Sequence, residues 1–294
     1  MTGLSRSQAV QWRTRVAEDM HMRTRTITPK DLGLRRRRGF ELAGELAPPP
    51  RLAIVGARAA RRRFTDLIPA IVEAAADRGF SVISGGALGV DSAAHRAALA
   101  LDVPQLAVLP AAVGAPYPPG NAALFDAIAA HACSGVAFVL KQGQSPTRAL
   151  FSSRNSYVVG LAAAVVVVQA SLRSGSMNSG RLALKQRRPL AALVGSPGCG
   201  VLIGAGARAI RASCPVEVAA AISAWLEQPN AAALADPWPP HLRDLGLAID
   251  RAGPRGLSID DLEEPLLGLV ALTEAEALDL VVDVGGGRYV RSDR

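Results

Sequence analysis

From residue 51 onwards the apolar positions fall into short, nearly unbroken runs. Between them lie longer stretches in which apolar residues recur every three or four places. The runs RLAIVGA (51–57), FSVISG (80–85), QLAVLPA (105–111), GVAFVL (135–140), AAVVVVQA (163–170) and PLAALVG (189–195) predict strands. Such strands show little alternation because both of their faces are covered. The helical stretches are FTDLIPAIVEAAADRG (64–79), VDSAAHRAALAL (90–101), AALFDAIAAHA (122–132), a helix over 154–162, and SGRLALKQ (179–186). A Gly/Pro loop follows the last strand, with a short helix near 205–211. Strands alternating with helices predict an α/β chain with a Rossmann-like, doubly wound, mostly parallel sheet.

The flanking segments read differently. Residues 1–47 are polar and Arg-rich, with RRRR at 35–38 and no sustained apolar face, and are expected to form a basic N-terminal arm. Pro48-Pro49-Pro50 is a stiff spacer into a domain spanning 48–228. Residues 229–240, PNAAALADPWPP, have the composition of a linker. Beyond it, HLRDLGLAIDRAG, SIDDL and EAEALDLVVDVGGGRYV predict a helix, a short helix, and a helix leading to a glycine turn and strand. That order is the one expected of a small C-terminal winged-helix-like domain at 241–294.

Charge sharpens this division. The net charge is +8, and it is unevenly spread. Residues 1–63 hold 15 Lys/Arg against 5 Asp/Glu, residues 64–235 hold 12 against 8, and residues 236–294 hold 6 against 12. A basic front and middle predict a polyanionic partner, and the acidic tail does not. The cysteines, Cys133, Cys199 and Cys214, are odd in number and form no C-x-x-C pair, which fits a reducing compartment better than a disulfide framework. The start, MTGLSRSQAVQWRTR, lacks a signal-peptide core, and LAAAVVVVQA is too short to span a bilayer. A cytoplasmic protein with no membrane partner is expected.

The candidate chemistry lies at three turns. In VISGGALGVDSAAHRAAL (82–99), an apolar strand runs into Gly85, Gly86 and Gly89 and then into a helix. Glycines at a strand-to-helix turn let backbone amides approach an anion closely at a helix N-terminus. The first turn, IVGARAARRRF, lacks G-x-G-x-x-G, so a dinucleotide cofactor is not expected. It places Arg58 at a strand's carboxyl end, with Arg61, Arg62 and Arg63 close behind. In FSSRNSYVVGLAAAVVVVQASLRSGSMNSG (151–180), Phe151 precedes Arg154-Asn155, and Ser174-Gly175-Ser176 opens another helix. An aromatic beside cations suits base stacking with phosphates held alongside, although Phe151 reads equally well as core. Asp91 and His95 share a helix face at i and i+4. No third ligand lies in reach for a metal, so structural roles are expected, with His95 bonded to Asp91 or to a nearby loop. Serine nucleophile chemistry lacks an evident histidine partner.

Taken in order, IVGAR, VISGGALGVDSAAHRAAL, AVLPAAVGAPYPPGNAALFDAI, F-x-x-RN-x-x-x-x-GLA and VVVVQA-x-x-x-SGS resemble the DprA/Smf family of DNA-processing proteins over roughly residues 51–210. The later SPGCGVLIGAGA and the tail at 241–294 are also similar to parts of that family. The resemblance implies a non-enzymatic, homodimeric protein that binds single-stranded DNA and helps load RecA recombinase in natural transformation or recombination. It implies a DNA-contacting surface of Gly56, Arg58, Ser84, Gly85, Gly86, Gly89, Phe151, Arg154, Asn155, Ser174, Gly175 and Ser176, with Lys185 as a further addition and no metal or cofactor. The chain departs from the family pattern at Ala57, Val139-Leu140, Ser156 and Gln169, and no N-terminal helical domain is recognisable in residues 1–47. The competing reading is a nucleotide-binding or nucleotide-hydrolysing enzyme on the same scaffold.

Overall fold

The computed structural model describes residues 24–28, 39–141, 148–211, 213–227 and, with short gaps, 242–291. Nine strands form one sheet: β1 (Arg25–Ile27), β2 (Phe40–Gly44), β3 (Arg51–Gly56), β4 (Ser81–Ser84), β5 (Gln105–Leu109), β6 (Gly135–Phe138), β7 (Ala164–Gln169), β8 (Leu190–Leu193) and β9 (Arg208–Ile210). Their order is β1-β2-β6-β5-β4-β3-β7-β8-β9. β3 to β9 run parallel, with β4, β5 and β6 added on one side of β3 and β7, β8 and β9 on the other. Chain order therefore reverses between β3 and β7, which is the switch point of a doubly wound sheet.

Both faces of the sheet are buried, and the alternation along each strand shows it. Leu52, Ile54, Val82, Val166 and Val168 point into one core with helices α2 (Ile68–Ala76), α3 (Val90–Ala100) and α8 (Pro215–Glu227). Ala53, Val55, Ile83, Val165 and Val167 point into the other, against α5 (Arg148–Leu161), α6 (Gly175–Lys185) and α7 (Pro197–Gly204). The run Val165–Val168 is apolar throughout because it serves two cores at once. A smaller cluster packs α4 (Ala122–Ala130) against β2, β5 and β6.

Several boundaries differ from the sequence expectation. Residues 40–44, assigned there to the arm, are a sheet strand antiparallel to β6. Phe40 and Leu42 are buried, and the Phe40 ring meets Tyr157 of α5 edge-on at 6.1 Å. The adjoining arginine run masks this short apolar pattern when residues 1–47 are read by composition. The helix expected over 64–79 is two pieces, α1 (Arg62–Thr65) and α2, with Pro69 in the first turn of the second. Proline fits there because the first-turn amides have no intrahelical acceptor. α5 and α6 begin earlier than expected, at 148 and 175.

The loop and helix expected at 196–211 are instead α7, opening on Ser196-Pro197, and strand β9. α8 was not anticipated, although Val218, Ile222, Trp225 and Leu226 bury one helical stripe.

The linker at 229–240 lies outside the described residues. In the C-terminal segment, β10 (Leu257–Ser258), β11 (Val281–Asp283) and β12 (Arg288–Arg291) form an antiparallel sheet in the order β10-β12-β11, next to helix α9 (Pro265–Ala277). Its core, including Leu242, Leu257 and Leu272, also takes in Ala205 at the end of α7.

Candidate nucleic-acid interface

Parallel strands aim their carboxyl ends at one edge, and the reversal between β3 and β7 opens a crevice of about 600 Å³ there. Gly56 and Arg58 reach it from the end of β3, Arg154 and Asn155 from α5, and Ser174, Gly175 and Ser176 from the start of α6. Seven of the residues expected at the site thus converge on one cavity from three separate stretches of chain. Arg61 and the N-terminal turn of α7, Ser196-Pro197, complete its wall. The helix dipoles of α6 and α7 add partial positive charge to that of the arginines.

Each element is held by local chemistry. Ser174 caps α6, its Oγ accepting from the Met177 backbone N–H at 3.1 Å and donating to the Ser171 carbonyl at 2.8 Å. Asn155 Nδ2 donates to the Gly175 carbonyl at 3.2 Å, tying α5 to the start of α6. Gln169 Oε1 accepts from the Arg61 backbone N–H at 2.9 Å, fixing the basic turn after β3. Ser196 Oγ accepts from the Ala170 N–H at 3.1 Å. Sequence reading did not single out Ser196; its signal was a serine before a proline, the N-cap and N1 pattern.

The glycine turn does something other than expected. A methyl group at Gly85 would fall on the Arg154 guanidinium, so the missing side chain makes room for that arginine. Arg154 is only 5% exposed, and its Nη1 lies 3.9 Å from Asp91 Oδ2. Asp91, in the first turn of α3, folds back under the turn and accepts from the Ala87 N–H at 3.3 Å. Backbone N–H groups of Gly56 and Gly85 also converge on it.

The anion nearest this turn is therefore the chain's own carboxylate, and the Val90 N–H is already bonded to the Ala57 carbonyl. Burial raises the Asp91 pKa, and the facing Arg154 charge opposes that rise. Burial likewise lowers the Arg154 pKa, with Asp91 opposing. At 3.9 Å the attraction does not outweigh the loss of solvent for either group.

Other expected site residues lie away from the crevice. Gly86 packs on Leu109 and Phe125. Gly89 has φ +79° and sits against the carbonyls of Ala57 and Arg58. Ser84 is fully buried, its hydroxyl donating to the Ile54 carbonyl at 2.6 Å. Lys185 ends α6, ten residues and about 15 Å from Gly175, too far to join the site. Phe151 lies on α5 near its start, and its side chain is outside the described residues. His95 is buried with Nδ1 2.7 Å from Gln105 Oε1, and burial pulls its pKa down to about 4. No cluster of three or more metal-ligating side chains occurs among the described residues.

The fold and the crevice define a doubly wound α/β protein with a cationic crevice at its switch point. The family model of DNA recombination-mediator protein A matches residues 42–219, and the chain belongs to that family. Among curated relatives, a putative DNA processing protein DprA of Mycobacterium tuberculosis is 40% identical over 169 residues, covering 55% of this chain and 43% of its own. The DNA processing protein DprA of Streptococcus pneumoniae is 31% identical over 170 residues, covering 55% of this chain and 58% of its own. The chain thus spans about half the length of the curated relatives it matches.

Among solved structures, DNA processing protein A from Helicobacter pylori superposes with a TM-score of 0.61 at 27% identity. That match covers 71% of this chain and 98% of the Helicobacter chain, whose structure was described for its single-stranded DNA binding mode. The Streptococcus pneumoniae protein superposes with a TM-score of 0.58 at 25% identity, covering 73% and 80%. No helix among the described residues is long and apolar enough to cross a membrane.

Proposed function

We propose that this chain binds single-stranded DNA along the switch-point crevice and acts in DNA processing without catalysing a reaction. The observation that carries this reading is the convergence of the exposed Arg58 and Arg61 with the N-termini of α6 and α7 on one open edge, above the buried Arg154. Such a surface neutralises phosphates and reads no base, as a sequence-tolerant strand binder requires. The Helicobacter relative, with its single-stranded DNA binding mode, supports the same assignment. Homodimerisation and RecA loading belong to the proposal as family properties. So do a cytoplasmic location and a winged-helix-like role for 241–294, whose charge balance of 6 basic to 12 acidic residues over 236–294 disfavours contact with DNA.

Fluorescence anisotropy with labelled oligo-dT across a salt series tests the assignment. For single strands, log affinity should fall with log salt by about 0.7 per neutralised phosphate, and Arg58→Ala should flatten the slope by about that much. Lys185→Ala, at the far end of α6, should leave it unchanged. Equal slopes for wild type and Arg58→Ala would sink the assignment of Arg58. Thermal stabilisation by nucleoside phosphates without oligo-dT binding would favour the enzymatic alternative.

A further inference from the structure

Beside the crevice lies a second, shallow depression of about 40 Å³, walled by Leu88, Pro110, Tyr117 and Pro118. The two depressions share Arg58, Ala87 and Arg154. Leu88 is 50% exposed and Tyr117 is 39% exposed, so an aromatic ring and a branched aliphatic chain face outward at the rim of a cationic site. Scattered exposed apolar residues are ordinary. These two are joined: Asn121, buried, donates from Nδ2 to the Gly86 carbonyl at 3.0 Å and ties the Tyr117 loop to the Leu88 turn. Beneath them Arg154 is buried, and its Nε has no hydrogen-bond partner among the described residues.

A single strand alternates charged phosphates with flat bases whose faces stack on apolar and aromatic groups. A cationic crevice sharing its floor with a fixed apolar wall matches that alternation. We propose that Tyr117, with Leu88 and Pro118, forms a nucleobase subsite in which the tyrosine ring stacks on the base next to a phosphate held at Arg58. The inference rests on the single-stranded DNA reading of the crevice. Every base offers a π-face, so the subsite tolerates any sequence.

The test compares labelled oligo-dT with an equal-length oligomer of abasic sugar-phosphate, both by anisotropy. Wild type should prefer oligo-dT. Tyr117→Ala should weaken oligo-dT binding by about 5- to 150-fold, the range of one lost base stack, and leave abasic binding unchanged. Tyr117→Phe should keep the preference, and Leu88→Ala, at an exposed position, should reduce it. If Tyr117→Ala and Leu88→Ala discriminate as wild type does, or if Tyr117→Ala weakens both oligomers equally, the subsite is overturned while the crevice assignment stands. If wild type binds neither oligomer, the crevice assignment fails and the subsite falls with it.

Discussion

Arg154→Ala tests the role of that guanidinium in holding the fold. The side chain lies over Gly85 and faces Asp91, which is itself only 4% exposed. Removing it leaves a buried carboxylate answered only by backbone N–H groups, those of Ala87, Gly56 and Gly85. Losing one partner of a buried pair costs about 3–5 kcal/mol, and the 3.9 Å separation favours the lower end, near 3 kcal/mol. The loss should also depend on pH.

Without Arg154 only the backbone N–H groups of Ala87, Gly56 and Gly85 oppose burial, so the Asp91 pKa rises further above its unfolded value of about 3.9. Between those two values the folded variant holds a proton that the unfolded chain has released. Its stability therefore falls as pH rises through that window, by at most about 1.4 kcal/mol per unit. Wild type, whose Asp91 pKa is raised less, stops falling earlier, and the deficit grows from that point. Urea unfolding followed by far-UV circular dichroism should show a larger deficit at pH 7 than at pH 5. A deficit under about 1 kcal/mol at pH 7, or one equal at both pH values, would refute the buried-pair reasoning.

Two further outcomes follow from the same region. His95 has its pKa held near 4 by burial, below the ordinary 6.5, so its contribution is present above pH 6.5 and is lost as pH falls towards 4. His95→Gln should flatten the acid side of the stability profile by roughly 3 kcal/mol over that window, and an unchanged acid slope would count against a neutral, buried imidazole. Gly89→Ala places a methyl on the carbonyls of Ala57 and Arg58 at φ +79°. It should cost at least about 1–2 kcal/mol and weaken oligo-dT binding by displacing the turn that carries Arg58, whereas an unchanged unfolding midpoint would show that the turn yields freely.

The doubly wound class was legible in the sequence because its strands are apolar on both faces, a pattern that only a covered parallel sheet requires. The crevice residues from Gly56 to Ser176 were legible too, since glycine, serine and arginine at strand-to-helix turns mark one sheet edge whatever the details of packing. Tertiary structure alone decided the rest. Phe40–Gly44 becomes a strand because β6 offers it a free edge and Tyr157 offers its phenylalanine a neighbour, and neither is local in sequence. Pro197 starts a helix where composition suggested a loop, because the chain turns there against Ala170.

The glycines at 85 and 89 are spaced as if to receive a phosphate, yet one makes way for Arg154 and the other for the backbone of Ala57 and Arg58. Their spacing announces a close approach; which group approaches depends for Gly85 on α5, some 65 residues further along the chain, and for Gly89 on the turn after β3, some 30 residues before it. Lys185 is a basic residue on a helix that begins at the crevice, and the rise of an α-helix carries it out of reach. Local pattern determined most of the central strands and helices and which edge is cationic. Burial and long-range packing determined which charges face the solvent and which are spent holding the turn in place.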